Sequence, residues 1–469
     1  MKILFVIPRI KSLFGESNTV VAHPHIGVAY LTSFLKQNGV EVTVYDESIS
    51  THSKLLSKIK AFNPKLIGVT VFSYCYTYAL SLIQLIKKHT DIPIVVGGSH
   101  VSTVGQSALE MGATYAIEGE GEYPLLSLLR GKKEKKERRY IENLDKLPFP
   151  DYNAFEIEKY VCYKQHSLPL ITSRGCPFNC NYCSVHLCMG KKFRKRSASN
   201  VVNEIEYHYR NGVNNFDIND DCFTVNKERA IEICEFIIQS GMKIRFQLYN
   251  GIRVDTVTPH LLGKLRQAGC YFICYGCEAG TQHILDKIGK GITLEQVRDA
   301  VRWTNEVGIS NSVNFIIGHK EETYEDALLT LAFAKSLPTS FVNMYNLLPY
   351  PHTDAYEWAT HNAKWLVNKD IYLTTVSYRD NIPVYETGEF TAEERKYVVR
   401  KGLDLYRKRI LIFRMGWVGW VIYMGTKLGW VNRVLTQFAL SNKVGRKVYV
   451  WLSSNSFKQR IKDDKCNCS

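Results

Sequence analysis

The sequence predicts an α/β protein with two consecutive parallel-sheet units and a helical C-terminal region. Three observations support this: short β-branched runs alternate with helical patterns up to about residue 130, six further strand–helix units follow, and the alternation then ends. A chain of 469 residues is too long for one core. We therefore expect domains at 1–130 and 161–360, a linker at 131–160 and a helical region at 361–469.

Composition and charge restrict the classes of protein to which this chain can belong. Hydrophobic residues make up 45% of the chain and charged residues 22%, as in ordinary globular proteins. No secretory signal opens the sequence, so the 13 cysteines are expected as thiols of a reducing, cytoplasmic compartment. The formal net charge of +15 suits either nucleic acid or an anionic membrane surface.

The first unit has the pattern of a doubly wound, Rossmann-like sheet. Strands are predicted at 3–7, 40–45, 66–72, 94–96 and 114–117, with helices between them. Such a sheet binds ligands at the carboxyl ends of its strands. Gly97 and Gly98 follow the fourth strand, where adjacent glycines let backbone approach a bulky ligand. A flavodoxin-like domain that binds nothing is the alternative.

The second unit repeats the alternation six times, short of the eight units of a closed barrel. Strands are predicted at 168–172, 215–218, 244–248, 271–275, 312–317 and 340–346. Charged residues follow successive strands, where a barrel places its chemistry, at Asp220, Asp221, Arg253 and Glu278. One such acid could be structural, whereas four charges at successive strand ends favour a site.

A cysteine-rich loop follows the first strand of this unit. Cys176, Cys180 and Cys183 have the spacing C-x3-C-x2-C. Three thiolates from one loop can hold three irons of a [4Fe–4S] cluster and leave the fourth iron open. A structural zinc site needs four protein ligands, and no matching second pair stands nearby. The spacing therefore favours an iron–sulfur cluster.

This loop resembles the cluster signature of the radical S-adenosylmethionine (SAM) enzymes. The resemblance implies a partial (β/α)6 barrel and a cluster held by Cys176, Cys180 and Cys183. SAM needs an acid for its amino group, a cation for its carboxylate and an acceptor for its ribose. The residues that match the family's positions for these contacts are Asp220, Asp221, Arg253 and Glu278.

Residues 1–130 resemble the cobalamin-binding domain that precedes many radical SAM barrels. The matching pieces include Pro-His-Ile-Gly-Val-Ala-Tyr-Leu from residue 24 and Val-Gly-Gly-Ser-His from residue 96. The resemblance implies that Ser73, Gly97 and Gly98 line the nucleotide tail of cobalamin. The D-x-H-x-x-G motif of an axial histidine is absent, and His23 and His25 do not have its spacing, so we expect no protein ligand on cobalt.

Two loops depart from the family pattern. His319 and Lys320 stand where the family has a residue and a proline in G-x-P-G-E-T, and His352 replaces a common glycine in P-Y-P-G-T. The two histidines could be substrate or acid–base groups at the barrel mouth, with ordinary loop variation as the alternative.

Two further patterns are expected to be structural. Cys270, Cys274 and Cys277 repeat the C-x3-C-x2-C spacing within a predicted strand. Cys277 should face away from the other two, so no second cluster is expected. The basic run 191–196 is expected on the solvated surface, with contact to an anionic substrate or a cofactor phosphate as the alternative.

The C-terminal region combines basic and aromatic residues. Thr391 to Glu394 is a capping box that should open a helix. Between residues 400 and 460, thirteen Lys and Arg accompany four tryptophans and one acid. The uncharged run 415–426 is too short to span a bilayer, so an interfacial membrane anchor is expected. A helical cap over the barrel is the alternative.

Together these features imply a cobalamin-dependent radical SAM enzyme that methylates an unactivated carbon. An oxidative cyclase or ring-forming lyase without methylation is the alternative, and a non-enzymatic cofactor carrier has no use for the charged strand ends. The expected partners are a small, lipid-like substrate, a flavodoxin or ferredoxin electron donor and an anionic membrane surface, with no nucleic acid. The expected location is the cytoplasm, with peripheral association at the inner face of the membrane. The sequence identifies no catalytic residue.

Overall fold

The computed structural model describes residues 1–9, 23–132, 140–376, 380–417, 419–420 and 423–424. The predicted fold class is confirmed: a doubly wound N-terminal domain is followed by a six-stranded partial barrel and helical C-terminal elements.

The first sheet is fully parallel, with the strand order β2-β1-β3-β4-β5. Its strands are β1 (Lys2–Ile7), β2 (Glu41–Asp46), β3 (Leu66–Thr70), β4 (Ile94–Gly97) and β5 (Tyr115–Ile117). Its helices are α1 (Ile26–Gln37), α2 (His52–Phe62), α3 (Tyr76–His89), α4 (Ser99–Val104) and α5 (Glu122–Leu129). Ile3 and Phe5 pack into one core and Leu4 and Val6 into another. Both faces of the sheet are therefore covered, as a parallel sheet requires.

The second sheet is also parallel, with the order β13-β12-β11-β10-β9-β6, and β7 with β8 forms a separate small ribbon. The strands of this domain, including the two of the ribbon, are β6 (Ser167–Leu170), β7 (Ser173–Arg174), β8 (Arg194–Lys195), β9 (Asn215–Ile218), β10 (Arg245–Ile252), β11 (Cys270–Glu278), β12 (Ser310–Ile317) and β13 (Phe341–Asn346). The accompanying helices are α6 (Val161–Lys164), α7 (Val185–Met189), α8 (Ala198–Arg210), α9 (Lys227–Gln239), α10 (Pro259–Gln267), α11 (Gln282–Lys287), α12 (Leu294–Glu306) and α13 (Tyr324–Ser336). Alternate strand residues such as Phe216 and Leu248 form the core between sheet and helices.

The last described elements follow the final barrel strand, and α16 packs on that strand. They are α14 (Asp354–Asn362), β14 (Lys364–Trp365), α15 (Tyr372–Thr375), β15 (Tyr385–Glu386) and α16 (Ala392–Met415). The predicted capping box is present, because Thr391 and Glu394 each accept the other's backbone N–H. Gly402 of α16 lies so close to Met344 of β13 that a Cβ would stand 2.6 Å from the Met344 side chain. The first part of the C-terminal region is therefore an integral wall of the barrel.

Most of the expected membrane anchor lies outside the described residues. The chain after residue 424 is not described, and this includes two of its four tryptophans. Of the part that is described, no helix is both long and apolar enough to cross a membrane.

Two local expectations differ from the structure. In the expected linker, Ile141, Leu144 and Tyr152 are buried in a core that they share with the first domain, while residues 133–139 lie outside the described ranges. In β11, Cys270 and Cys277 lie on the outer face of the sheet. The pairing of β10 with β11 shifts register next to Cys270, which breaks the strict alternation assumed from the sequence.

Candidate functional site

The three cysteines lie in a loop, residues 174–183, that we call the cluster loop. Gly175 has φ +83°, and a Cβ there would lie 2.4 Å from the carbonyl oxygen of Lys192, so only glycine fits. Cys176, Cys180 and Cys183 are half-buried free thiols. Burial raises the pKa of the Cys183 thiol to about 12, so iron must displace a proton to bind there.

The donor set fits an iron–sulfur cluster better than a single metal ion. No three His, Cys, Asp or Glu side chains in the described ranges converge as they would around one ion. Each cysteine of a [4Fe–4S] cluster binds a different iron, so its thiolates need not converge on one point. The three thiols of the cluster loop therefore suit a cluster with one iron left open.

The two aspartates after β9 have different roles. Both carboxylate oxygens of Asp220 are occupied: Thr172 N–H donates at 2.6 Å, Ser173 Oγ donates at 2.6 Å, and the Thr172 hydroxyl donates as well. Asp220 is 1% exposed and shapes the start of the cluster loop, while the SAM contact expected of it stays a prediction. Asp221 accepts the Gly175 N–H at 2.8 Å, and burial raises its pKa to about 6.

Arg253 braces the cluster loop. Its guanidinium lies 3.7 Å from the centre of the Phe178 ring and 3.9 Å from Cys180 Sγ. It also donates to Asp255 at 3.0 Å and to the Lys290 carbonyl at 2.5 Å. The structure therefore places a fixed positive charge beside the expected cluster.

Glu278 lies in a polar group that the sequence revealed only in part. Lys290 Nζ donates to Glu278 at 2.9 Å and lies 3.3 Å from the hydroxyl of Tyr182 in the cluster loop. Burial opposes the charge of Lys290, but the Glu278 carboxylate raises its pKa above the ordinary value. Sequence reasoning missed Lys290. The available signal was its position between Gly289 and Gly291, both with positive φ.

The two histidines of the divergent loops differ in burial. His319 is 1% exposed, and its ring packs edge-on against Tyr182 at 5.5 Å. Burial lowers its pKa to about 3, so it is neutral at physiological pH. His352 is exposed and has φ +64°, the conformation of the glycine usual at this position. For His352 the structure favours loop variation.

The expected cobalamin face lies at the carboxyl ends of β3 and β4. Gly98 has φ +108°, and a Cβ there would lie 2.7 Å from the Val71 carbonyl oxygen. Beside it, the nearest described atom to a Cβ on Gly97 would be 3.6 Å away, which leaves the backbone open on that side. The Ser73 hydroxyl lies 3.1 Å from His100 Nδ1. This open backbone ledge suits a large ligand such as the cobalamin tail.

Neither N-terminal histidine is placed as a cobalt ligand. His25 Nδ1 accepts the Val28 N–H at 3.1 Å, and its Nε2 lies 3.3 Å from the Thr70 hydroxyl. Burial lowers the pKa of His25 to about 4. His23 Nε2 lies 2.9 Å from the Asp217 carboxylate, within the second domain.

Buried ion pairs join the two candidate cofactor regions. Arg174, which precedes the first cysteine, lies 3.1 Å from Glu120 and 2.9 Å from Glu122 of the first domain. Arg194 lies 2.7 Å from Glu120. The expectation of a solvated basic run at 191–196 is therefore wrong for Arg194 and Arg196, each 3% exposed. Arg196 pairs instead with Glu204, itself fully buried.

A cleft of about 680 Å³ lies elsewhere, lined in part by Tyr163, His166 and Asn211. These residues precede β6 and β9, so the cleft opens at the amino ends of the strands. Barrel enzymes place their chemistry at the opposite end, where the cluster loop lies.

Two family models match the chain. Residues 170–334 match the radical SAM superfamily, and residues 17–129 match the B12 binding domain. An uncharacterized methyltransferase of Pyrococcus horikoshii is 31% identical over 447 residues, which cover 88% of this chain and 94% of that protein. The anaerobic magnesium-protoporphyrin IX monomethyl ester cyclase of Rubrivivax gelatinosus is 26% identical, covering 76% and 70%.

Solved structures share the fold. The radical SAM methyltransferase TsrM from Kitasatospora setae, with tryptophan substrate and a SAM analogue bound, superposes with a TM-score of 0.69 at 19% identity, covering 86% of this chain and 89% of that one. The cobalamin-dependent radical SAM enzyme OxsB, with aqua-cobalamin bound, superposes with a TM-score of 0.69 at 17% identity, covering 97% and 71%.

Proposed function

This chain belongs to the cobalamin-binding members of the radical SAM superfamily, and from that premise we propose that it transfers a methyl group to an unactivated carbon of a small molecule. Its cofactors are a [4Fe–4S] cluster, SAM and cobalamin. When bound, SAM and the cluster supply a 5′-deoxyadenosyl radical that removes a substrate hydrogen atom, and methylcobalamin supplies the methyl group.

One observation carries this proposal: the expected cobalamin ledge adjoins the loop that would hold the cluster. Arg174 and Arg194 tie the second domain to Glu120 and Glu122. Cys188, five residues after Cys183, lies 3.7 Å from the carbonyl of Ser99, the residue after Gly98. Methyl transfer needs both cofactors at one substrate, and this arrangement supports it.

The chain's own residues would hold and orient the reactants. Cys176, Cys180 and Cys183 would hold the cluster, with Arg253 beside Cys180. Asp221 and Glu278 would contact the amino group and the ribose of SAM, and Lys290 is the added candidate for its carboxylate. Ser73, Gly97 and Gly98 would line the cobalamin tail. Half-buried Tyr182 and buried His319 would limit access of water to the space above the cluster.

The proposal is tested by mass spectrometry with SAM that carries a deuterated methyl group. We expect a labelled methyl in the product and 5′-deoxyadenosine formed in step with it, and neither with Cys180→Ala. A relative is named as a cyclase, so cyclisation is the second candidate. Formation of 5′-deoxyadenosine with a product that lacks the label would favour cyclisation and overturn methyl transfer.

Two partners are proposed from surface charge. Lys191, Lys192 and Lys195 are exposed beside the cluster loop, and Lys191 contacts Asn179 within the loop at 3.1 Å. This basic surface would suit an acidic flavodoxin or ferredoxin.

At the end of α16, Trp417 is 79% exposed and Trp420 is 48% exposed. With exposed Arg407 nearby along the chain, they support the proposal that this end of the chain contacts an anionic membrane surface.

A further inference from the structure

The inner face of the partial barrel is unusually polar. On each strand the outward residues, such as Ile218 and Val313, lie in the core with the helices. Their neighbours in sequence therefore face inward, because side chains alternate along a strand. Polar residues face inward on four strands: Asp217 on β9, Gln247 on β10, Ser312 and Asn314 on β12, and Asn343 on β13. The interior of a closed barrel is usually packed with branched apolar side chains.

These inward side chains form short hydrogen-bonded groups. Asp217 accepts from the Gln247 amide and lies 2.9 Å from His23 of the first domain. Across the interior, Asn343 donates to Asn314 at 2.8 Å. Each pair leaves polar groups that can form a further hydrogen bond. These are the side-chain carbonyl groups of Gln247 and Asn343 and the amino group of Asn314. The two hydrogen-bonded pairs thus offer hydrogen-bond acceptors and donors to a ligand inside the barrel.

The interior has space for a ligand. Gln247, Asn314 and Asn343 are half-buried, although strands surround them. The apolar side chains lie toward the amino ends of the strands, where Phe272 and Phe341 pack together at 6.0 Å. Phe413 of α16 packs on Phe341 at 4.9 Å and closes that end. The polar layer thus lies between an aromatic floor and the cluster loop.

We infer that the substrate is a polar small molecule bearing hydroxyl or amino groups, held by Asp217, Gln247, Asn314 and Asn343. This rests on the proposed function, since it assigns the substrate class of that same enzyme. An apolar substrate would remove water from the three half-buried amides without replacing its hydrogen bonds. A polar group that loses its bound water without gaining a new partner weakens binding. A lipid-like substrate, expected only from the C-terminal segment, is disfavoured by this lining.

The experiment identifies the substrate class from the origin of the hydrogen atom that is transferred to 5′-deoxyadenosine. Cells are grown in deuterium oxide, and their extract is divided into aqueous and organic fractions. Each fraction is given to the full-length enzyme loaded with cluster, cobalamin and unlabelled SAM, with titanium(III) citrate as reductant. A substrate carbon–deuterium bond breaks and a carbon–deuterium bond forms in 5′-deoxyadenosine, whose mass reports the transfer. We expect deuterium from the aqueous fraction; deuterium only from the organic fraction overturns the inference.

A paired variant tests the residues themselves. Asn343→Leu should lower deuterium transfer from the aqueous fraction at least tenfold, whereas its iron content per chain should equal that of the wild type. Asn362→Leu makes the same change on the exposed end of α14 and should change neither. Equal deuterium transfer by the two variants overturns the assignment. No 5′-deoxyadenosine from any fraction would instead contradict the proposed function, so the two failures are distinguishable.

Discussion

The guanidinium of Arg174 lies 2.9 Å from the carboxylate of Glu122, and both side chains are buried. Arg174 opens the cluster loop, whereas Glu122 begins helix α5 of the first domain. This ion pair is one of the buried contacts that join the expected cobalamin domain to the cluster loop. Its energetic weight depends on burial, because a buried charge left alone is costly.

We predict that Arg174→Met destabilises the protein strongly. It would leave the Glu122 carboxylate buried without its partner, so the free energy of unfolding should fall by about 3–5 kcal/mol. Lys192→Met is the control, because its pair with Glu142 is exposed on both sides and should contribute less than about 1 kcal/mol. Urea denaturation followed by tryptophan fluorescence measures both, and equal losses would contradict the prediction.

The cluster cysteines should be individually essential for iron. Cys176→Ala, Cys180→Ala or Cys183→Ala should each lose the cluster after anaerobic reconstitution, since two thiolates hold it poorly. Cys222→Ala is a matched control, because Cys222 is a buried thiol of the same barrel end, 1% exposed. It should keep about four irons per chain. Iron loss in that control would mean that the ligand set is wrong.

Glu322 should make stability depend on pH. Burial raises its pKa to about 7, so the folded protein holds this proton more tightly than the unfolded chain does. The stabilisation is full below the unfolded-state pKa of about 4.3 and is lost as the pH rises through 7, by up to about 4 kcal/mol.

Glu322→Gln should remove this dependence. Relative to the variant, the wild type should lose stability between pH 5 and pH 8, because the amide cannot ionise. Glu321→Gln changes the exposed neighbouring carboxylate and should follow the wild type over this range. Urea midpoints at both pH values decide the matter, and parallel curves for wild type and Glu322→Gln would refute the assignment.

Cobalamin should bind without a histidine ligand. The nitrogens of His25 are engaged by Val28 and Thr70, and no axial motif is present. The absorption spectrum of the bound cofactor should therefore be of the base-off type and should not change in His25→Gln. A nitrogen-ligated spectrum that disappears in this variant would overturn the prediction.

The C-terminal surface is tested by a truncation placed after α16. Arg409 of α16 donates to the carbonyls of Ala334, Leu337 and Thr339, so a deletion starting at residue 400 would damage the barrel. A chain ending at Gly416 should fold and hold its cluster but no longer float with anionic vesicles. Full-length protein should float at low salt and be released at high salt. Full-length protein that never floats would rule out the membrane contact.

Hydrophobic periodicity and residue spacing predicted the strands, their parallel direction and the cysteine loop. Contacts between distant residues could not be predicted in this way. The run at 191–196 looked solvated because the pairing of Arg194 with Glu120, and of Arg196 with Glu204 on the next helix, exists only in the folded chain. Asp220 has the residue type of a ligand-binding acid, but its hydrogen bonds to Thr172 and Ser173 exist only after folding. The fold and the types of ligand-binding side chain could therefore be predicted from the sequence. The roles that depend on contacts with distant residues could not.

Helix α16 has a consequence for the maturation of the enzyme. It forms the outer wall of β13 and closes the floor of the barrel through Phe413, yet it is made long after the three cysteines. Because domains fold as units during synthesis, the first domain can form early, while the second waits for this helix. The cysteines therefore leave the ribosome into an unfinished barrel. The barrel that carries the cluster loop is therefore complete only after α16 has docked on β13.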